Sequence, residues 1–476
     1  MSLDVSVVGL GKLGACMAAA IASRGVKTVG VDLSAAAVEK VQRKLAPVFE
    51  PGLAEMIASC DGMLGATTDF ERAIRNTEIT FVVVPTPSNE NGAFSLEYVR
   101  TAMEQIARSI REKSTYHLVV LTSTVLPGST EYFVKPLLEK VSGKQCGKDF
   151  GLCYSPEFIA LGSVLRDFLN PDFLLIGECD SRAGAQLARF YRESLKIDAP
   201  SARMTPVNAE LSKIALNTFV TTKITFANLL AEVCEHLPGG DVDAVAHALG
   251  LDQRIGPKYL KGALGYGGPC FPRDNAALAR LLEEIGVSAE LPRTVDRMNR
   301  AQPERIISII ERLNLRKPKR VAVLGLAYKP NTNVVEESQG VAVARLLVDK
   351  GFEVSVFDPV AMEPARKLLG DVVRYADSVA DCVRSAEVIV LATDWTEFRS
   401  LPYQLASAKP SPVILDGWRT LRTSHGSDEI SYLAIGTEHP QLQGRDRLRR
   451  FIEELVQPTS EPKKANQKLG TMAATT

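Results

Sequence analysis

No C-x-x-C pair occurs among the eight cysteines, which stand at 16, 60, 146, 153, 179, 234, 270 and 382. A chain of 476 residues has ample core without a disulfide scaffold, so these cysteines fit a reducing, cytoplasmic setting. Excess charge is missing as well: Lys+Arg and Asp+Glu both number 56. A net charge of zero supplies no field to gather nucleic acid or an anionic membrane surface, and neither is expected as a partner. Continuous apolar runs stay short of the roughly eighteen residues that a spanning helix needs, and no lipidation signal is visible. Val5 to Ala22 has the small apolar residues of a signal-peptide core, but Asp4 and Lys12 place charge where that reading requires none.

What remains is an ordinary globular composition, 45% hydrophobic and 24% charged, at a length that suggests about three domains. Short β-branched runs at 3–8, 26–31, 79–84, 118–122, 151–154 and 173–177 are separated by stretches long enough for helices, which predicts a mostly parallel sheet. Val207 to His236 contains neither Pro nor Gly and reads as one long helix, ended by Pro238-Gly239-Gly240. Its length suits equally a connector and dimerisation element or an internal core helix. A second α/β unit follows the basic stretch 316–320, with strands at 321–324, 353–357, 388–392 and 413–415. The tail from Pro458 has almost no large apolar residues and is expected to be disordered. No internal repeat is visible beyond a weak correspondence of the two α/β halves.

Gly9-Leu10-Gly11-Lys12-Leu13-Gly14 follows the first strand and opens a helix, and Asp32 ends the next strand. In that context the three glycines allow a tight turn, close approach of a pyrophosphate and close helix packing. Asp32 suits an adenosine ribose and repels a 2′-phosphate, which favours NAD over NADP. Pro85-Thr86-Pro87 and Ser123-Thr124-Val125 fall at strand C-terminal ends, where open α/β sheets place ligands. Either is equally read as a turn or a helix cap.

Gly265-Tyr266-Gly267-Gly268-Pro269-Cys270-Phe271-Pro272-Arg273-Asp274 is the most informative stretch. Dense glycines mark backbone that comes close to a ligand, and they leave Cys270 beside a cation and an anion, as a candidate nucleophile needs. Lys213 and Asn217 stand i, i+4 on the long helix, so both lie on one face.

These motifs together resemble the UDP-glucose/GDP-mannose dehydrogenase family, over roughly residues 3 to 440. The likeness includes the glycine fingerprint, Thr86-Pro87, Ser123-Thr124-Val125, Ser155-Pro156-Glu157-Phe158, Asn208 to Lys213 with Asn217, the Gly-Gly-x-Cys loop, and Gly325 to Thr332. The resemblance implies two Rossmann-like α/β domains joined by a central helical domain with one long helix. The NAD-binding domain is expected over 1–204, the central domain carrying the cysteine loop over 205–302, and the nucleotide-sugar (UDP) domain over 316–442. The implied activity is a four-electron, NAD-dependent oxidation of a nucleotide-sugar C6 alcohol, UDP-glucose to UDP-glucuronate by default, with GDP-mannose or a UDP-N-acetylhexosamine as variants. A two-electron β-hydroxyacid dehydrogenase has no need of Cys270 or the second α/β unit, and a non-catalytic sensor has no need of the reactive groups.

By motif position, Cys270 would form a thiohemiacetal and then a thioester. Lys213 and Asn217 would stabilise the reacting oxygen. All five histidines lie outside these motifs, so acid–base work falls to Glu157, with Thr124 holding water and Asp274 supporting the cysteine and lysine. Gly9, Gly11, Leu13, Gly14, Asp32, Thr86 and Thr124 would meet NAD. Phe158, Lys213, Asn217, Arg254, Tyr259, Gly267 and Lys329 would meet the substrate, Arg254 from across a homodimer interface. No metal is implied.

Four positions depart from the family pattern. Leu161 replaces a carboxylate, and Glu336 replaces an arginine expected near the cofactor pyrophosphate. Arg273-Asp274 stands for Lys-Asp, and Asp416-Gly417-Trp418-Arg419 carries an inserted tryptophan that leaves the role of Arg419 open.

Overall fold

In the computed structural model, the residues described are 4–313, 315, 319–401, 405, 411–422, 431–439 and 444–456. The expected disordered tail lies outside them. Two sheets form the frame. The first contains β1 (Val5–Val8), β2 (Thr28–Val31), β3 (Leu64–Thr67), β4 (Ile79–Val82), β5 (His117–Leu121), β6 (Phe150–Tyr154), β7 (Leu174–Glu178) and β8 (Ser201–Met204). Their order is 3-2-1-4-5-6-7-8, parallel except where β6 meets β7. The second sheet, with β9 (Arg320–Leu324), β10 (Glu353–Phe357), β11 (Arg374–Tyr375), β12 (Val388–Leu391), β13 (Val413–Asp416) and β14 (Ser431–Ala434), is wholly parallel in the order 11-10-9-12-13-14. The inner strands are apolar on both faces because helices cover both sides. In each sheet the order reverses beside the first strand of the unit, and the crevice for ligands opens there, at the strand C-terminal ends.

The second unit repeats the glycine geometry of the first without its motif. A Cβ on Gly14 would overlap the Gly9 carbonyl, and a Cβ on Gly340 would overlap that of Gly325. Between Gly325 and Gly340, however, a long loop replaces the tight turn. Asp358, at the end of β10, spends its carboxylate on the N–H groups of Leu326 and Ala327 (2.8 and 2.9 Å) and on the Trp395 indole (3.2 Å).

The central helix, Pro206–His236, has 31 residues and is about 46 Å long at 1.5 Å per residue. Pro206 starts it in the first turn, where a missing N–H costs nothing. It is long and apolar enough to cross a membrane by length and composition alone. Its buried face nevertheless carries Glu210, Lys213, Asn217, Thr221 and Asn228, all of which find polar partners. Glu210 near its start accepts the N–H groups of Gly128 and Thr130 at 2.6 and 2.7 Å, tying it to the first unit. Glu235 near its end accepts the Gly436 N–H at 2.8 Å and pairs with Arg305, tying it to the second. The helix is thus the connector between the α/β units. Its other face leaves Leu211, Phe219, Phe226, Leu229 and Val233 exposed.

Candidate active site

Gly9 has φ +98, and a Cβ there would overlap the Val83 carbonyl. Gly11 differs: nothing lies within 4 Å of where its Cβ would stand. That open face is the N-cap of the helix Lys12–Ser23, whose first-turn N–H groups and dipole favour an anion. Leu13 packs its side chain on the core of the first unit. Asp32 holds the loop by accepting from the N–H groups of Leu10 (2.6 Å) and Ser34 (2.8 Å). The open Gly11 face, the helix start and the acid at the end of β2 fit a dinucleotide such as NAD.

Along the same crevice, the Thr86 hydroxyl donates to the Thr124 carbonyl at 2.7 Å, and Ser123 Oγ donates to the Val84 carbonyl at 2.7 Å. These bonds cross-link the ends of β4 and β5 and set the position of Thr124, which is half-buried.

Opposite them, Lys213 Nζ donates to the Glu157 carbonyl at 2.6 Å and stands 4.5 Å from the centre of the Phe158 ring. Asn217 Nδ2 donates to Asp274 Oδ2 at 2.6 Å, and Arg273 donates to the other oxygen at 3.0 and 3.2 Å. Asp274 is fully buried in the first turn of the helix Phe271–Glu284, and Cys270 is the N-cap of that helix. Among the eight cysteines Cys270 is the exposed one. Although its surface is open, the protein packed around Cys270 strips solvent from the thiol and raises its pKa, a shift that Asp274 and Glu336 reinforce and the cations Arg273 and Lys213 oppose. The helix N-terminus favours the thiolate in addition. Burial raises the half-buried Glu157 carboxyl to about 7, against the pull of Lys213. The Lys213 ammonium is lowered by burial, with Asp274, Cys270 and Glu157 opposing that shift.

The glycine loop before Cys270 is wedged between units. A Cβ on Gly267 would overlap the Glu337 carbonyl, and Gly268, at φ +84, lies against the Tyr328 ring and donates to the Glu336 carbonyl at 2.9 Å. Asn299 grips Tyr266 through its N–H (2.7 Å) and its carbonyl (2.9 Å). Lys329, half-buried on the facing loop, has its pKa lowered by burial and supported by the carboxylates of Glu50 and Asp167. Tyr259, 51% exposed, takes a left-handed φ of 65 beside Lys258, whose ammonium pairs with Asp172 at 3.0 Å. Arg254 is not brought to the site of its own chain: its side chain is 88% exposed and pairs with Asp252 at 2.6 Å.

Two of the departures acquire a physical account. Leu161 packs on the core of the first unit. Carboxylates from either side serve its loop: Glu50 accepts the N–H groups of Gly162 and Val164, both at 2.9 Å, and Asp167 accepts from the Ser163 hydroxyl at 2.7 Å. Sequence reading missed Glu50; its only signal is the Glu50-Pro51-Gly52 turn. Arg419 is spent structurally, donating to Asp243 (2.8 Å), the Ile435 carbonyl (2.7 Å) and the Lys261 carbonyl (2.6 Å) with its side chain 2% exposed. It latches the second unit to the central helices. A separate cavity of about 470 Å³, lined by Arg320, Glu353 and Arg374 among others, lies at the opposite end of β9 from Lys329.

A dinucleotide crevice facing a cysteine, with Lys, Asn and carboxylates around it, defines an NAD-dependent dehydrogenase that has a second α/β unit over its active site. The chain belongs to the UDP-glucose/GDP-mannose dehydrogenase family, whose members are NAD-dependent nucleotide-sugar dehydrogenases. Residues 3–195 match the family's NAD binding domain, 207–301 its central domain and 322–423 its UDP binding domain. A UDP-glucose 6-dehydrogenase of Haloferax volcanii is 36% identical over 430 residues, 90% of this chain and 99% of the relative. A GDP-mannose 6-dehydrogenase of Azotobacter vinelandii is 36% identical over 360 residues, 75% of this chain and 81% of the relative. The solved UDP-glucose dehydrogenase of Pyrobaculum islandicum superposes with a TM-score of 0.83 at 37% identity, covering 92% of this chain and 98% of its own.

Proposed function

We propose that the chain oxidises the C6 hydroxyl of a nucleotide-diphosphate sugar to the carboxylate, with UDP-glucose to UDP-glucuronate as the reaction. The carrying observation is the convergence of Cys270, Lys213, Asn217, Asp274 and Glu157 on one cleft. The UDP-glucose dehydrogenases among its relatives support that sugar.

NAD, which the Gly9–Gly14 loop and Asp32 would hold, would supply the hydride acceptor for each of the two oxidations at C6. In the first oxidation the hydroxyl proton passes to solvent while the Lys213 ammonium and the free Asn217 N–H stabilise the oxyanion. The Cys270 thiolate then adds to the aldehyde carbon, forming a C–S bond and a tetrahedral oxyanion held by the same two donors. This adduct carries the C–H bond that the second oxidation needs, and loss of its hydride leaves a thioester. Glu157, with a pKa of about 7, takes a proton from water, whose oxygen attacks the acyl carbon. The C–S bond breaks, the thiolate returns and the carboxylic acid ionises. The sum is one sugar alcohol, two NAD⁺ and one water giving one carboxylate, two NADH and three protons.

Asp274 positions Asn217 and Arg273, and Thr124 holds the hydrolytic water. Phe158, Tyr259, Gly267 and Lys329 line the sugar and diphosphate side of the cleft. Arg254 serves a partner subunit of a homodimer built on the exposed face of the central helix. The units 1–204, 205–302 and 316–442 take the cofactor, the reacting carbon and the nucleotide respectively.

The test counts NADH by absorbance from limiting UDP-glucose, GDP-mannose or UDP-N-acetylhexosamine with excess NAD. Two NADH per UDP-glucose is expected. One NADH per sugar refutes the four-electron reaction, and two NADH from another sugar alone refutes the assignment to UDP-glucose.

A further inference from the structure

Lys12 occupies the glycine loop and is the first residue of the helix Lys12–Ser23, next to the open face of Gly11. Its Nζ donates to Asn333 Oδ1 at 3.1 Å, a contact that joins positions 321 residues apart. Glu336, three residues beyond Asn333, lies close enough for its carboxylate to act on the Lys12 ammonium. The segment 333–336 therefore reaches over the cofactor loop, and it is anchored to the cysteine loop by the Gly268 N–H bond to the Glu336 carbonyl. Arg419 is not available to this crevice, because its guanidinium is enclosed by Asp243 and two carbonyls.

An anion at the Gly11 face meets helix-start N–H groups, and the negative Glu336 acts on the Lys12 ammonium that follows Gly11. The one feature that balances that carboxylate within the loop is Lys12. Its neighbours are accounted for: Asn333 and Glu336 face it from the second unit, and the Glu50 carboxylate acts on it from the first.

We infer that Lys12 is the cation that binds the NAD pyrophosphate in this chain, supplying from the first unit the charge that position 336 does not, and that Asn333 and Glu336 position it. Pyrophosphate oxygens would receive a charge-assisted hydrogen bond from Nζ, while Asn333 keeps one of the remaining Nζ hydrogens. The second unit is then linked to cofactor binding through Lys12. The inference rests on NAD as the cofactor and not on the identity of the sugar, so its test uses binding and requires no turnover.

Purified full-length protein is titrated with ADP-ribose, which contains the pyrophosphate, and with adenosine, which does not, by calorimetry. Lys12→Met is expected to weaken ADP-ribose about tenfold or more and leave adenosine unchanged, as loss of one charge-assisted bond predicts. Lys12→Arg keeps the charge and should bind ADP-ribose close to the parent affinity, which separates a lost cation from a damaged fold. Adding Glu336→Arg to Lys12→Met should restore much of the lost affinity by returning a cation from the opposite side. Equal ADP-ribose affinity in Lys12→Met and parent, or an equal loss for adenosine, overturns the assignment. Absence of rescue in the double variant overturns the pairing of positions 12 and 336.

Discussion

Asn217 of the central helix donates to Asp274 at 2.6 Å, and Asp274 sits one turn beyond the Cys270 that caps its helix. The bond joins residues 57 apart and holds the Asn217 amide, the proposed oxyanion donor, in a fixed relation to the Cys270 end of that helix. Arg273 occupies the other carboxylate oxygen, so a fully buried charge is satisfied from both sides.

Asp274→Asn removes the acceptor charge and leaves Arg273 and Asn217 competing for a weaker partner. We expect a stability loss of about 1–3 kcal/mol, read by urea unfolding. The kcat should fall on the order of a hundredfold as Asn217 loses its orientation. Parental kcat with reduced stability would show that Asp274 supports the fold alone.

As the proposed base, Glu157 would be active in its ionised form. With its pKa raised to about 7, kcat should rise as pH passes upward through about 7 and level off above it. Glu157→Gln should abolish that limb and slow thioester hydrolysis, so that intact mass spectrometry detects an acyl adduct on Cys270. A profile with its limb unchanged in Glu157→Gln would assign the limb to another group.

Phe219 is 66% exposed on the central helix, with Phe226 and Val233 following at seven-residue spacing on the same face. Phe219→Asp should convert the expected dimer to a monomer in sedimentation analysis. Activity should drop on the order of tenfold or more with it, because a hot-spot aromatic is lost and Arg254 no longer reaches a neighbouring site. A dimer of full activity would move the interface elsewhere.

The inner strands were legible within one or two residues because they are apolar on both faces and end at turn residues, as β4 does shortly before Pro85. The edge strands β3, β8, β11 and β14 escaped notice: their half-exposed faces break the apolar run that marks a strand. Likewise, the glycines of the second unit are too far apart in sequence to form a fingerprint, although Gly325 and Gly340 pack as Gly9 and Gly14 do.

Sequence alone determined the local settings of the candidate groups: a glycine turn before a helix, a cysteine before another, and Lys213 and Asn217 on one helical face. Those settings depend on spacings of a few residues, which backbone geometry converts directly into position. Tertiary structure decided which groups became partners. Glu157 reaches Lys213 across 56 residues, Arg419 turns inward to Asp243, and Lys12 meets the loop that carries Glu336 across 321. No local periodicity encodes such meetings, because they depend on how two α/β units pack against one connecting helix.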